Sequence, residues 1–286
     1  FFFEPSPENY AQHKIDWCRI DRGAVPSSTF SDRLLIHQQL GTFFLGFACH
    51  CSPFDEVTVR QAIAQSIDQK NLVKDVSSGI QIAATGGVVP PSMPGHSPEI
   101  GFSFNPNMAR HLLNQSNFLK GSKIPSLTFA ALPGTASSHY LVKSWQEHLG
   151  LEINLIENMP IDEIVAKLSE GSVQLALIAW DCEYPDPDSI LRLLFHSQSS
   201  MNYFGWKNEQ FDQLVERAAT LTNQEERLAL YHKADRILVA EAAAIVPLFY
   251  YQAYGLMRSE FNIDGVEKII RGGSFKLKNV LMRVDA

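Results

Sequence analysis

The region between residues 126 and 180 constrains the fold most, because apolar runs alternate there with helical patterns. The pattern predicts three strands, at 126–131, 152–157 and 173–180, and two helices, at 136–149 and 161–168. Gly150 and Gly171 follow the two helices, as glycines commonly do at helix ends. Strands that alternate with helices of this length predict parallel pairing in a sheet covered by helices, so the fold class is α/β.

The last of these strands runs into an unusually acidic loop. Residues 180–188 read Trp-Asp-Cys-Glu-Tyr-Pro-Asp-Pro-Asp. The two prolines interrupt the hydrogen bonding of a strand, so the acids are predicted to lie on a stiff loop at the strand's carboxyl end. Ligands commonly bind at that end of strands in α/β proteins. Trp180 and Tyr184 beside the carboxylates favour a ligand with an ammonium group.

The acids of this loop also have a structural interpretation. Asp186 and Asp188 could instead cap the helix predicted at 189–195, and Trp180 could be a core residue. Glu183 lies too early in the sequence to cap that helix. Glu183 is therefore the acid for which a binding role is most strongly indicated.

Composition limits the class of protein. With 45% apolar and 19% charged residues, the chain is typical of a soluble protein that can form one large or two small cores. The net charge of -7 argues against a nucleic-acid surface. No run of apolar residues is long enough to predict a membrane span. The start at Phe1-Phe2-Phe3 resembles a strand without its lead-in, so we expect the sequence to be a piece of a longer protein.

The cysteines give little evidence of a metal site. There are four, Cys18, Cys49, Cys51 and Cys182. A strand through residues 49–51 (Cys-His-Cys) would place two of the thiols on one face. A metal site that also uses His37 is an alternative, but no second motif of this kind follows, and free core thiols are predicted. We predict neither a metal nor a cofactor.

The rest of the chain reads as further strands and helices. The pattern predicts strands at 34–47 and 245–251, strand-like and turn-like pieces at 266–279, and helices at 55–66, 69–76, 107–114, 210–220 and 224–243. Asp68 and Asn105 stand at helix starts as N-caps, and Pro106 follows at the first helical position. Gly41 and Gly46 mark points where the backbone could bend or approach another group closely.

Four segments occur in an order that is typical of one family. They are residues 53–68, which begin Pro-Phe-Asp-Glu-Val-Thr-Val-Arg-Gln-Ala-Ile and end Ser-Ile-Asp; residues 105–113; the loop 180–187; and residues 202–212 with 227–231 and 245–248. Together they resemble the family-5 extracellular solute-binding proteins, the oligopeptide-, dipeptide- and nickel-binding components of ABC importers. The loop resembles the family pattern W-x-x-D-Y-x-D-P.

The resemblance implies a periplasmic-binding-protein-like fold (type II) with two lobes, of which this chain matches the carboxyl-terminal half. A mixed sheet covered by helices is expected in that lobe. The implied division is 1–40 as the end of a first-lobe segment and hinge, 41–254 as the ligand-binding C-terminal lobe, and 255–286 as the return to the first lobe.

The resemblance also implies a function and a site. The chain is expected to bind peptides or a similar amine-bearing solute in an interlobe cleft. Glu183 stands where peptide-binding members have the acid that pairs with the peptide's α-amino group, and Asp181 is an alternative partner. The predicted ligand-binding residues are Glu183, Trp180, Tyr184, Asp181, Asp186, Phe44 and Asn202; no residue is predicted to be catalytic or to bind a metal.

Some positions depart from the family pattern. Leu177 and Leu168 stand where oligopeptide binders can carry arginines for the peptide's carboxylate, and Ala48 stands near a usual asparagine. The ligand's carboxylate is then met by other groups, or the ligand has none.

The implied setting is periplasmic or extracytoplasmic, with the full-length form anchored as a lipoprotein. The expected partner is a membrane ABC permease that contacts the closed lobes; we expect a monomer and no nucleic acid. An enzyme is disfavoured because no nucleophile elbow, phosphate loop or H-E-x-x-H motif occurs. Alternatives are the ligand-sensing lobe of a transcriptional regulator, or a binder of nickel, haem or another solute with the same fold.

Overall fold

The chain divides into two compact units. A computed structural model describes residues 6–20, 34–77, 80–119, 126–258, 261–263 and 280–282. Unit 1 comprises Phe1–Leu40 and Tyr251–Ala286, and unit 2 comprises Gly41–Tyr250. Two long strands, β2 (Leu34–Phe47) and β7 (Ile245–Met257), contribute residues to both units.

Unit 2 contains most of the described helices and strands. Its further strands are β3 (Ile82–Ala83), β4 (Leu127–Ala130), β5 (Ile153–Ile156) and β6 (Leu175–Asp181). Its helices are α2 (Val57–Gln65), α3 (Gln69–Ser77), α4 (Pro106–Gln115), α5 (Ser137–Leu149), α6 (Ile161–Glu170), α7 (Leu191–Phe195), α8 (Glu209–Thr220) and α9 (Gln224–Arg236).

The sheet of unit 2 is mixed, with the strand order β7-β2-β6-β4-β5 and β3 paired to β7. Strand β4 pairs in parallel with both β5 and β6, as predicted. Strand β2 runs antiparallel to β6, with Gly41 opposite Asp181 and Phe47 opposite Leu175. The carboxyl ends of β4, β5 and β6 therefore lie at one edge of the sheet, and the acidic loop follows β6 at that edge.

The core of unit 2 is formed by apolar side chains from the sheet and its covering helices. Leu141 and Trp145 lie on one face of α5 and are fully buried, and the Trp145 ring contacts Phe129 of β4 edge-on at 5.3 Å. All four residues from Leu175 to Ile178 in β6 are buried. Each such large side chain contributes about 1.5–3 kcal/mol through burial, which anchors β6 and the start of the loop.

The predicted helix ends are confirmed. Asp68 Oδ1 accepts hydrogen bonds from the amides of Lys70 and Asn71, at 3.1 and 3.0 Å. Asn105 Oδ1 accepts from the amide of Met108 at 3.0 Å. Gly150 and Gly171 end α5 and α6 with φ of 65° and 75°, a conformation that glycine adopts without steric cost.

Other boundaries differ from the prediction. The helix predicted at 224–243 is α9 to Arg236, followed by a π-helical segment at Ile237–Glu241. The strand predicted at 245–251 extends to Met257 because it also pairs within unit 1. The helix predicted at 189–195 is divided into a 3-10 turn, Pro187–Ser189, and α7. The pieces predicted at 266–279 lie outside the described residues.

The strand predicted at 34–47 is confirmed, and residues 49–51 lie beyond its end in a turn. Strand β2 ends at Phe47, and the amide of Cys51 donates to the carbonyl of Ala48 at 3.0 Å, which forms a turn. The thiols of Cys49 and Cys51 are thus not presented by strand alternation. The described residues contain no group of three or more His, Cys, Asp or Glu side chains placed to hold a metal ion; the His37 side chain is not among those described.

Unit 1 is organised around the end of β7. Strand β1 (Trp17–Ile20) pairs antiparallel with it, and β8 (Phe261–Ile263) pairs with β9 (Val280–Met282). The buried guanidinium of Arg258 donates to the carbonyl of Tyr10 at 2.8 Å and lies over the Tyr10 ring, which connects helix α1 (Pro7–Ala11) to β7. None of the helices described is both long enough and apolar enough to span a membrane.

Candidate ligand-binding site

The acidic loop is closed by its own hydrogen bonds. Trp180 Nε1 donates to the carbonyl of Ser189 at 3.0 Å, across the whole loop. Ser189 Oγ donates to the carbonyls of Asp186, at 2.8 Å, and Tyr184, at 3.2 Å. Asp186 caps the 3-10 turn, because its Oδ1 accepts from the amide of Asp188 at 2.9 Å. Asp186 thus caps this turn, whereas α7 itself has no side-chain cap.

Asp188 is buried beneath the loop and is surrounded by donors. Arg192, one turn later, donates from Nε and Nη2 to its two carboxylate oxygens, at 2.6 and 2.7 Å. The hydroxyls of Tyr184 and Tyr231 donate to the same carboxylate at 3.1 and 3.2 Å. Burial alone would raise the pKa of Asp188, but the hydrogen bonds and charge of Arg192 and the two hydroxyls outweigh it and hold the pKa below its ordinary value.

Asp186 forms a second ion pair that joins the loop to α9. Arg227 donates from Nη2 to Asp186 Oδ1 at 2.8 Å, and its Nη1 donates to Oδ2. The same guanidinium lies 4.9 Å from the centre of the Tyr231 ring. The hydrogen bonds to Asp186 raise the pKa of Arg227. Bidentate pairs of this kind fix orientation as well as adding energy.

The other two acids of the loop face solvent. Asp181 and Glu183 are exposed, and Glu183 makes no hydrogen bond or ion pair with any residue in the described parts of the chain. Trp180 is half-buried beside them, and Tyr184 is 38% exposed. Asp186 and Asp188 therefore fix the loop through their ion pairs, while Asp181 and Glu183 are exposed on its surface. An exposed carboxylate that lies between two aromatic residues in the sequence can accept an ammonium group.

Two predicted site residues lie away from the loop. Phe44 is fully buried, and its ring packs edge-on against Phe195 and Phe204 at 5.9 and 6.0 Å, so we leave it out of the site. Asn202 belongs to a turn whose Phe204 carbonyl accepts from the amide of Cys49, beyond the end of β2. That position is at the opposite end of β6, roughly 20 Å from the loop along the strand.

Sequence reasoning missed the side chains that hold the loop. Arg192 is four residues after Asp188 on a predicted helix, a spacing at which an acid and a base commonly pair. Arg227 lies 41 residues after Asp186 in the sequence, and no local pattern indicates that pairing. The distinction between supporting and presented acids therefore required the fold.

Comparison with known proteins places the chain among solute-binding proteins. The profile of the bacterial extracellular solute-binding proteins, family 5 (middle), matches residues 12–202. The oligopeptide-binding protein OppA of Bacillus subtilis is 24% identical over 83% of this chain and 46% of its own length. The heme-binding protein A of Haemophilus influenzae is 26% identical over 81% of this chain and 45% of its own length.

Solved structures show the same fold. The murein tripeptide binding protein MppA of Escherichia coli superposes with a TM-score of 0.71 at 22% identity, over 90% of this chain and 52% of that one. The chain thus spans about half the length of the proteins that it matches. The α/β fold with its mixed sheet, the order of the four segments and the profile match agree with the predicted resemblance. The chain belongs to the bacterial extracellular solute-binding proteins of family 5.

Proposed function

We propose that this chain is the ligand-binding part of the substrate-binding component of an ABC importer, and that its solute is a peptide or a similar amine-bearing molecule. The observation that carries the proposal is the exposed carboxylate of Glu183, which has no partner among the described residues and lies on a loop fixed by two Asp–Arg pairs. Relatives named for oligopeptide and dipeptide binding support this choice over the ligand-sensing lobe of a transcriptional regulator.

The proposed site consists of Glu183 with Trp180 and Tyr184 as apolar walls and Asp181 as a second carboxylate. Asp186 positions the loop through Arg227 and does not contact the ligand. A buried ammonium group paired with a carboxylate gains roughly 1.5–3 kcal/mol from the charge-assisted hydrogen bond. The main chain of an extended peptide would bond to strand-edge groups, as in strand addition.

The wider setting belongs to the same proposal. Residues 41–254 carry the ligand-binding lobe, and residues 1–40 and 255–286 belong to the first lobe. The full-length protein is a monomeric extracytoplasmic lipoprotein that delivers its solute to a membrane ABC permease. It binds and releases the solute without chemical change and contacts no nucleic acid.

The proposal is tested by thermal melting with short-peptide pools whose N-termini are free or acetylated. A ligand at 100 times its Kd adds about 2.7 kcal/mol to the free energy of unfolding, which corresponds to a shift of several degrees. We expect a shift with free amines only, its loss in Glu183→Gln, and its retention in Glu170→Gln, which removes an exposed acid from the end of α6.

The melts are run on this chain and on a longer form that includes the other half of the two-lobed protein. If no peptide shifts the melting temperature of the longer form, peptide binding is excluded. Nickel and haem are included as further ligands, so that a shift with either of them identifies a different solute class.

A further inference from the structure

A concavity of unit 2 lies at the other end of β6 from the acidic loop. Its volume is about 320 Å³, and it is walled by three segments: the turn after β2, the carboxyl-terminal half of α6, and the turn at 200–207 before α8. The amide of Cys49 donates to the carbonyl of Phe204 at 2.9 Å, which joins the first of these segments to the third. The Cys51 side chain lies against Gly171, which ends the second segment.

The walls of this concavity are fixed by internal contacts. Asn202 Nδ2 donates to the carbonyl of Trp206 at 2.7 Å and so closes the turn before α8. Gly205 has a φ of 62°, and a Cβ there would lie 2.6 Å from His50 Nδ1. Glycine is therefore required both for the backbone conformation and for the close approach of the His50 ring. A cavity formed in advance loses less conformational freedom when a ligand binds.

The lining of the concavity is rich in hydrogen-bond donors and lacks acids. Lys207 and His50 supply nitrogen donors, and Ser169, Ser200 and Tyr203 supply hydroxyls. None of the described lining residues is Asp or Glu, although the chain has 31 acidic residues against 24 lysines and arginines. Lys207 is exposed and forms no ion pair or hydrogen bond with the residues that the structure describes.

We propose that this concavity is a binding site for a small oxyanion, either phosphate or a low-molecular-mass carboxylate. Lys207 supplies the positive charge, since charge-assisted hydrogen bonds to oxyanions are the strong ones. The hydroxyls donate further hydrogen bonds to the oxygens of the anion. The volume is at the lower limit for ligand pockets, which is enough room for a small ion. The site is separate from the loop of Glu183, so this proposal does not depend on the solute-binding function.

The test is calorimetric titration with inorganic phosphate and, in a separate arm, with citrate, at constant ionic strength set with sodium chloride. We expect one saturable site for at least one of the two anions. Lys207→Gln should weaken binding by about tenfold or more, because it removes a charge-assisted bond. Lys207→Arg should retain binding. Lys70→Gln, which removes an exposed charge on α3, should leave the Kd unchanged.

The proposal is overturned if neither anion binds with a Kd below about 10 mM, or if Lys70→Gln weakens binding as much as Lys207→Gln. Unchanged circular dichroism and melting without ligand verify that Lys207→Gln is folded. If it is not, His50→Ala takes its place and should also weaken binding, because it removes a nitrogen donor. Peptide binding at the acidic loop should be the same in all of these variants.

Discussion

At the scale of single residues, the four acids of the loop divide into two roles that their types alone do not distinguish. Asp186 and Asp188 each face a guanidinium within hydrogen-bond distance, whereas Glu183 faces solvent. In the pair of Arg227 with Asp186, only 15% and 25% of the two side chains are exposed, so water screens this pair less than it screens a surface pair. Asp186 and Asp188 consequently fix the loop that carries Glu183.

Removing Arg227, the partner of Asp186, should destabilise unit 2. Arg227→Met leaves Asp186 with its charge but without its bidentate partner, so we expect a loss of roughly 2–4 kcal/mol in the free energy of unfolding. Arg217→Met changes an exposed arginine of α8 and should cost less than about 0.5 kcal/mol. Urea unfolding measures both variants. Equal values would show that the pair with Asp186 contributes little.

A buried carboxyl group should make stability depend on pH. Asp235 on α9 is fully buried; Oδ1 accepts from the amide of Val88 at 2.9 Å, and Oδ2 has no partner of normal geometry among the described residues. Burial raises its pKa to about 7, against the lowering effect of the Val88 amide, Ser97 and the Val89 amide. The unfolded chain therefore loses this proton at lower pH than the folded chain does.

The sign of the effect follows from this difference. Stability from Asp235 is fully present below pH 4 and falls as the pH rises to about 7, by an amount on the order of 4 kcal/mol. Of its neighbours, His96 has a pKa lowered by burial and Tyr250 has a pKa raised by burial, while His232 is exposed. Asp235→Asn should remove this part of the pH dependence. Denaturation curves at several pH values give the free energy of unfolding of both proteins as a function of pH. The same pH dependence in both proteins would contradict the assignment.

At the scale of elements, residues that act locally could be predicted and those that act at a distance could not. Asp68, Asn105 and Gly150 satisfy backbone groups of their own helices, so their roles follow from a few neighbouring residues. Gly46 was expected to allow a close approach, and the structure shows the Phe204 ring there; a Cβ would lie 2.0 Å from it. Gly46 and Phe204 are more than 150 residues apart in the sequence, so no local pattern could predict which side chain approaches the glycine.

The N-cap of α4 gives a prediction at this scale. Asn105→Ala removes the acceptor for the amide of Met108, so we expect a loss of about 1 kcal/mol in the free energy of unfolding. Asn114→Ala, on the exposed face of the same helix, should be neutral or slightly stabilising because alanine is the better helix former. A loss of similar size in both variants would argue against the capping role.

At the scale of the whole molecule, the alternation of strands and helices between residues 126 and 180 was sufficient to predict the parallel part of the sheet. The antiparallel pairing of β2 with β6 was not predictable from local sequence, because β2 precedes β6 by more than 120 residues. That pairing places Gly41 opposite Asp181, at the edge where the loop presents Glu183. The acids predicted on one contiguous loop therefore lie together, whereas the structure places Phe44 and Asn202 away from that loop.

Recognition of a ligand's amino group by Glu183 can be measured with a thermodynamic cycle. The Kd of one peptide is measured in free and N-acetylated form, with the unchanged protein and with Glu183→Gln, in the longer two-lobed form. We predict that acetylation weakens binding to the unchanged protein at least about tenfold more than it weakens binding to the variant, a coupling of roughly 1.5 kcal/mol or more. Equal effects of acetylation on both proteins would contradict the claim.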